Sequence, residues 1–399
     1  MDFEERLVAD LEKLANQNLL RCLRPLQGRQ QVRVQRGGRR LLNFSANDYL
    51  GLACHPKLQE SALKALDRYG VGAGASRLVC GSLPPHEELE KELATWKNTD
   101  TALSFSSGYA AALGILPALA STGDVIILDK LSHASLVDGA RLSRADLRVF
   151  PHNDLARLHR HLIWAQKNRP GRRIVIVTES IFSMDGDRPP LKEIIALKND
   201  FGAVLLLDEA HAVGVLGKTG AGLVEEMHCG KEVEIQMGTL SKAIGASGGY
   251  VCGSRRLIDT LINRGRSFVF STAPPACIAA AALEGIRIIR GREGTELRNR
   301  LWNNIRLFSK NLNVVAQSAI LPWTIGEEAQ AMEAASWLES QGYLAPAIRY
   351  PTVAKGRARI RFTLSATHSP LEIEGLTQSV QTFSPKSLFT EEERIACTL

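Results

Sequence analysis

Lys242 stands in GTLSKAIGASGGY (238–250), among residues too small to bury its chain by bulk and directly after an apolar run. An amine so placed can bond a carbonyl carbon or take a proton from carbon, although a lone lysine is more often a solvated surface charge. Upstream, LLLDEAHAVGVLG (205–217) ends a very apolar run on Asp208 and sets His211 three residues later. Such a pair can hold and pass a proton; it can equally cap a helix and fill a core. In FSSGYAA (105–111) an apolar run turns through Gly108 into a helical pattern. Free backbone N–H groups at such a turn can hold a phosphate, and a tight turn is the commoner reason for small residues. His133 in DKLSHASL (129–136) falls near a helix start, where capping is an ordinary role. TESIFSMDGD (178–187) puts a polar loop after a strand, and the glycine-rich YGVGAGASRLVCG (69–81) has neither a preceding strand nor the GxGxxG spacing of a dinucleotide site.

These residues need elements to position them. From about 100 to 255, short β-type runs alternate with helical patterns: TALSF (101–105), VIILD (125–129), LRVF (147–150), RIVIVT (173–178), AVLLLD (203–208), VEIQM (233–237) and GGYVC (248–252). Several are nearly continuously apolar, as strands covered on both faces should be. Residues 154–168 and 191–200 have helical spacing between them. The pattern predicts an α/β domain with a mostly parallel sheet, whose ligands belong beyond the carboxyl ends of the strands. That is where Ser106-Ser107-Gly108, Glu179 and Asp208 through His211 fall. The first twenty residues place Phe3, Leu7, Leu11 and Leu14 on one helical face. After about 285 a long helical stretch and then shorter segments, among them RARIRFTL (357–364), read as a smaller domain. The expected organisation is an N-terminal helix and arm (1–50), a large domain (51–285) and a C-terminal small domain (286–399).

The 399 residues are 45% hydrophobic and 23% charged, which excludes a disordered, collagen-like or disulfide-scaffold chain. The net charge of +7 is spread along the chain and aromatics are only 6%, so solvated surface explains it better than nucleic-acid binding. Seven cysteines (22, 54, 80, 229, 252, 277 and 397) are scattered singly, without the paired spacing of a zinc site, and fit a reducing compartment. No metal is expected. The start, MDFEERLVAD, lacks the basic-then-apolar layout of a signal peptide, and the longest apolar stretch, 109–120, is broken by Gly114 and Pro117. A cytoplasmic protein without a membrane span is expected.

Taken together, a phosphate turn, a histidine, a strand-end Asp with a nearby His and then a lysine form the layout that pyridoxal 5′-phosphate (PLP) requires: an amine for its aldehyde and a carboxylate for its pyridine nitrogen. From Leu41 to Leu371 the sequence resembles the α-oxoamine synthases among the fold-type-I PLP enzymes. The resemblance rests on LNFSANDYLGL (42–52), YGVGAGASRLVCG, FSSGYAA, DKLSHASL, TESIFSMDGD, LDEAHAVGVLGKTGAG (207–222), GTLSKAIGASGGY, FSTAPP (270–275) and PTVAKGRARIRFTLSATH (351–368). It implies the PLP-dependent transferase fold type I, with a large, mostly parallel mixed-sheet domain and a smaller C-terminal α/β domain.

By this resemblance Lys242 corresponds to the lysine that bonds the PLP aldehyde, Asp208 to the partner of the pyridine nitrogen, and His211 to the donor to the phenolic oxygen. His133 corresponds to the histidine that stacks on the ring beside the substrate, and Ser183 to a residue near the phenolic oxygen. Gly108, Tyr109 and Thr239, with Thr272 from a second subunit, correspond to the phosphate site. Tyr109 stands where phenylalanine is also common, which leaves a backbone contact intact. Asn47 and Arg361 correspond to residues that hold the amino-acid carboxylate, and Arg21 and Thr352 to other substrate contacts. Ser76 corresponds to a position near the substrate Cα where glycine-using relatives commonly carry threonine. The implied reaction is decarboxylative condensation of L-alanine with pimeloyl-CoA or a pimeloyl-carrier protein, in biotin synthesis, by a homodimer with its active sites between subunits. Glycine-using siblings such as 5-aminolevulinate synthase and 2-amino-3-ketobutyrate CoA ligase are the alternative, and a long-chain enzyme resembling serine palmitoyltransferase comes third. A non-catalytic scaffold subunit is disfavoured by the retention of Lys242, Asp208, His133 and His211.

Overall fold

The computed structural model describes residues 2–384; Cys397 and the tail from Pro385 lie outside the described residues. Two compact units emerge, residues 47–302 and residues 2–46 with 303–384. The breaks expected after 50 and 285 therefore fall after 46 and 302. Pairing across the chain is the reason: Leu42 and Asn43 lie in parallel register with Tyr343 and Leu344, which binds the arm to the C-terminal part. Helix Ala276–Arg290 packs on helices Pro56–Tyr69 and Pro84–Lys97 and so stays with the larger unit.

The larger unit is built on seven strands: β1 (Thr101–Phe105), β2 (Val125–Asp129), β3 (Asp146–Phe150), β4 (Ile174–Glu179), β5 (Val204–Asp208), β6 (Ile235–Thr239) and β7 (Gly249–Gly253). Their order is β1-β7-β6-β5-β4-β2-β3. Only β7 runs against its neighbours, antiparallel to β1 and β6. The apolar runs have the expected cause. Leu103, Ile126, Val175, Leu206, Met237 and Val251 share one core cluster with Ile115, Leu136, Ile258 and Phe268 from the helices. The alternating residues Ile127, Ile176, Leu205 and Leu207 are buried as well. Both faces are dry, so period-2 polarity has no place in these strands.

In the smaller unit, Ile320–Gly326, Ala358–Thr363 and Ala347–Ile348 form an antiparallel sheet. Its N-terminal helix, Phe3–Asn16, begins with a capping box between Asp2 and Glu5. That helix buries no residue, leaving Phe3, Leu7, Leu11 and Leu14 exposed. Among the described residues no helix is long and apolar enough to cross a membrane.

Candidate active site

Because β7 is antiparallel to both β1 and β6, the carboxyl ends of β1, β2, β4, β5 and β6 all lie at one edge of the sheet. The turns leaving that edge deliver Gly108 and Tyr109, His133, Glu179, Asp208 and His211, and Thr239 and Lys242 into one cavity of about 240 Å³. This is smaller than the roughly 300–1,000 Å³ of drug-sized ligand sites, so it suits a compact ligand. Each of these eight residues belongs to the larger unit.

At one end of the cavity, helix Gly108–Leu119 starts on Ser107, whose hydroxyl accepts from Ala110 N at 3.0 Å. The N–H groups of Gly108 and Tyr109 are left at a helix N-terminus, where the backbone dipoles favour an anion. A Cβ on Gly108 would project to within 3.5 Å of the Thr239 Cβ, into the cradle that Thr239 completes. Thr239 Oγ1 is itself fixed, donating to Gly248 O at 2.8 Å and accepting from Ser241 N at 3.2 Å. The paired glycines after Ser247 have a steric role here: a Cβ on Gly249 would fall 2.3 Å from Ser107 O and 2.6 Å from Gly108 N.

Asp208 ends β5 in a buried position, with Oδ1 accepting from Ala210 N at 2.9 Å. Burial pushes its carboxyl above the usual range, against the pull of Lys242, of the Ala210 N–H and of His133. A cation facing Asp208 would be held by a dry carboxylate with no competing water. Its register partner on β4, Glu179, accepts from His133 N at 2.5 Å. Burial, then the charge of Asp208, raises Glu179 well above its ordinary value.

His133 is both a cap and a cavity wall. It is the N-cap of helix Ala134–Leu142, its Nδ1 accepting from Ser135 N at 3.3 Å, while the ring lines the cavity. Burial lowers its pKa, so a neutral aromatic face is presented there. Tyr109 stands edge-on to it at 6.5 Å between centroids, its hydroxyl donating to Asp138.

Lys242 Nζ meets His211 Nε2 at 3.0 Å. On the other side of the ring, His211 Nδ1 is 2.5 Å from the Tyr49 hydroxyl, which donates to Asn47 Oδ1 at 3.3 Å. With a charged lysine, the donors run from Lys242 to His211, from His211 to Tyr49, and from Tyr49 to Asn47. Asn47 is thereby linked to Lys242 within one unit. No local spacing points to Tyr49, which stands in NDYLGL, 162 residues from His211.

The remaining expected residues lie elsewhere. Ser183 sits in the turn after β4 and does not line the cavity. Ser76 opens the π-helical turn Arg77–Gly81 without a side-chain cap, and its backbone bridges to Thr272. This Ser76–Thr272 pair does not line the cavity either. In the smaller unit, Arg361 is buried on strand Ala358–Thr363 with Nη1 donating to Thr363 Oγ1 at 3.1 Å. Arg21 Nη2 donates to Tyr350 O at 2.9 Å, and Thr352 N to Arg349 O at 3.0 Å.

Residues 39–380 match the family model described as aminotransferase class I and II. The chain is 44% identical over 374 residues to the 8-amino-7-oxononanoate synthase of Geobacter sulfurreducens, covering 92% of this chain and 95% of that one. Among solved structures it resembles a serine palmitoyltransferase from S. paucimobilis with PLP and myriocin bound (TM-score 0.88, 28% identity, 96% of this chain and 98% of that one). It also resembles an 8-amino-7-oxononanoate synthase from Francisella tularensis (TM-score 0.71, 29% identity, 86% and 98%). The two structural likenesses rank opposite to the sequence likeness. A backbone shared by several substrate specificities cannot choose among them, and the identity over the whole chain is the more discriminating measure.

Proposed function

Since the chain belongs to the 8-amino-7-oxononanoate synthase family of class I and II aminotransferase-type proteins, we propose that it condenses L-alanine with pimeloyl-CoA or a pimeloyl-carrier protein. The products are 8-amino-7-oxononanoate, CO2 and the free thiol carrier, a step of biotin synthesis. The observation that carries this reading is the approach of Lys242 Nζ to His211 Nε2 at 3.0 Å, in the same cavity as buried Asp208.

The family is PLP-dependent, and the donor set fits that group. The Gly108 and Tyr109 N–H groups and Thr239 would take the phosphate, Asp208 the pyridine nitrogen, His133 a ring face, His211 the phenolic oxygen, with Ser183 nearby, and Lys242 the aldehyde. When bound, PLP supplies an electron sink for a carbanion beside the amino group. With substrate bound, the Lys242 Nζ amine would be placed to take the Cα proton and later to return one. His211, tethered through Tyr49, holds that amine's approach. Asp208 would hold a proton at the pyridine nitrogen by a charge-assisted hydrogen bond. Arg361 and Asn47 would hold the alanine carboxylate until it leaves as CO2, and Arg21 and Thr352 would contact substrate. Ser76, which does not line the cavity of its own subunit, would approach the substrate with Thr272 from a second copy, where its lack of threonine's methyl would leave room for that of alanine.

A homodimer is part of this reading. The exposed stripe Phe3, Leu7, Leu11 and Leu14, and the exposed Val71, Val79 and Phe270 near Ser76 and Thr272, are apolar surfaces that a second copy would cover. Thr272 would then complete the partner's phosphate site. A cytoplasmic location fits the free cysteines 22, 54, 80, 229, 252 and 277.

Carboxyl-labelled L-alanine tests the reading. Labelled CO2 should be released only when PLP and pimeloyl-CoA are both present. Release without thioester, or none with it, contradicts condensation.

A further inference from the structure

One charged cluster beside the cavity is not used by the chemistry above. His152, in the turn after β3, lies between two carboxylates: Nδ1 is 3.0 Å from Asp129 Oδ1 and Nε2 is 2.7 Å from Asp187 Oδ2. Both ring nitrogens therefore act as donors, which requires the imidazolium. Burial alone would push His152 down, but the two carboxylates outweigh it and hold the pKa up to about 10. The next residue doubles the link. Asn153 N donates to Asp129 Oδ2 at 2.9 Å, and Asn153 Nδ2 reaches Asp187 Oδ2 and Arg188 O, each at 3.2 Å. Phe182 packs edge-on to the His152 ring at 4.3 Å. The other oxygen of Asp187, Oδ1, is buried and finds no hydrogen-bond partner among the described residues. The charge of that carboxylate thus rests on His152 and Asn153.

The two carboxylates anchor different turns. Asp129 ends β2, where its Oδ1 also accepts from Leu131 N at 2.8 Å and its carbonyl from Ser132 N at 3.1 Å. These bonds shape the turn that presents His133. Asp187 closes the loop after β4: its carbonyl accepts from Phe182 N at 3.0 Å, and Gly186 N donates to Phe182 O at 2.8 Å. Ser183 is inside that loop.

We propose that His152 is a positioning residue, an ionic clasp that locks the His133 turn to the Ser183 loop and so fixes, with one side chain, the His133 wall of the cavity and the loop that continues from its Glu179 wall. Resting on the reading of His133 and Ser183 as cofactor contacts, it extends that reading to a residue that touches neither substrate nor cofactor. The clasp joins the turns leaving β2, β3 and β4, so its loss loosens both turns while leaving the sheet intact.

The test uses full-length protein freed of cofactor, with His152→Asn and, should that variant fail to fold, Asp187→Asn. Backbone hydrogen exchange is read at 129–135 and 182–188, and binding is read with pyridoxine 5′-phosphate, an alcohol that cannot bond Lys242. The expected result is exchange at least ~10-fold faster in both turns, with the core strands unchanged, and ligand affinity about tenfold lower. Unchanged exchange, or faster exchange in one turn only, overturns the clasp. Faster exchange in both turns with unaltered binding overturns the positioning role and leaves a structural one. Should the wild type fail to bind the probe, the cofactor reading falls and the positioning role with it, while the exchange data still decide whether the clasp exists.

Discussion

At the scale of single residues, chemistry was legible where residue type and order were enough. Lys242, Asp208, His211 and His133 stand at strand ends, and the structure brings them into one cavity. What stayed hidden depends on partners through space. Tyr49 meets His211 across 162 residues, and Lys97 meets Glu209 across 112 as a fully buried ion pair; no local pattern signals either. Asp208 carries the clearest residue-level consequence. An amide at this position cannot balance a positive pyridine nitrogen, so Asp208→Asn should fold but lose nearly all exchange of the alanine Cα proton into deuterated water. A deficit of about 3–5 kcal/mol, the usual cost of breaking a buried charge pair, corresponds to a rate loss of roughly 10²–10³-fold or more. Exchange near the wild-type rate would remove Asp208 from its assigned role.

At the scale of elements, the strands were readable because burial on both faces makes them continuously apolar, and the helices because one face stays wet. The run expected at 233–237 is a strand two residues later, Ile235–Thr239, since Val233 is buried outside the sheet ladder. The π-helical turn after Ser76 was not readable, because glycine-rich sequence specifies freedom rather than a conformation. His133 shows how an ordinary structural role and a site role coexist in one residue, and the two can be separated. His133→Asn keeps a good N-cap but loses the ring, so melting should be nearly unchanged while PLP affinity and turnover fall. His133→Ala should lose the same activity and also about 1 kcal/mol of stability. Equal stability of the two variants would refute the cap; full activity in His133→Asn would refute the ring contact. In the loop carrying Ser76, the Ser76→Thr variant should lower kcat/KM for alanine by roughly 10–200-fold, the usual worth of one methyl in a pocket, and for glycine less. An unchanged preference would exclude Ser76 from the pocket.

At the scale of the whole molecule, the two-unit division was only partly legible, since the arm joins the C-terminal part through strand pairing across about 300 residues of chain, Leu42 to Tyr343. That unit holds a measurable pH response. His368 stacks on Phe44 at 4.0 Å, with Nδ1 accepting from Ser365 N at 2.9 Å and Nε2 donating to Asn43 O at 3.1 Å. Burial lowers it from 6.5 to about 4. The unfolded chain therefore binds more protons between those values, so stability is lost as pH falls from 6.5 towards 4, by about 3 kcal/mol for this group. Asp48, pushed up to about 6 by burial, acts in the opposite sense over part of that range. The effect should thus be read as the difference between wild type and His368→Gln in denaturant unfolding; parallel pH profiles would contradict it. The central claim concerns substrate choice, and one assay tests it most directly: initial rates for L-alanine and glycine, each crossed with pimeloyl-CoA and acetyl-CoA, with products identified by mass. The account predicts the highest kcat/KM for alanine with pimeloyl-CoA and a product of the mass of 8-amino-7-oxononanoate; a preference for glycine with acetyl-CoA would contradict it.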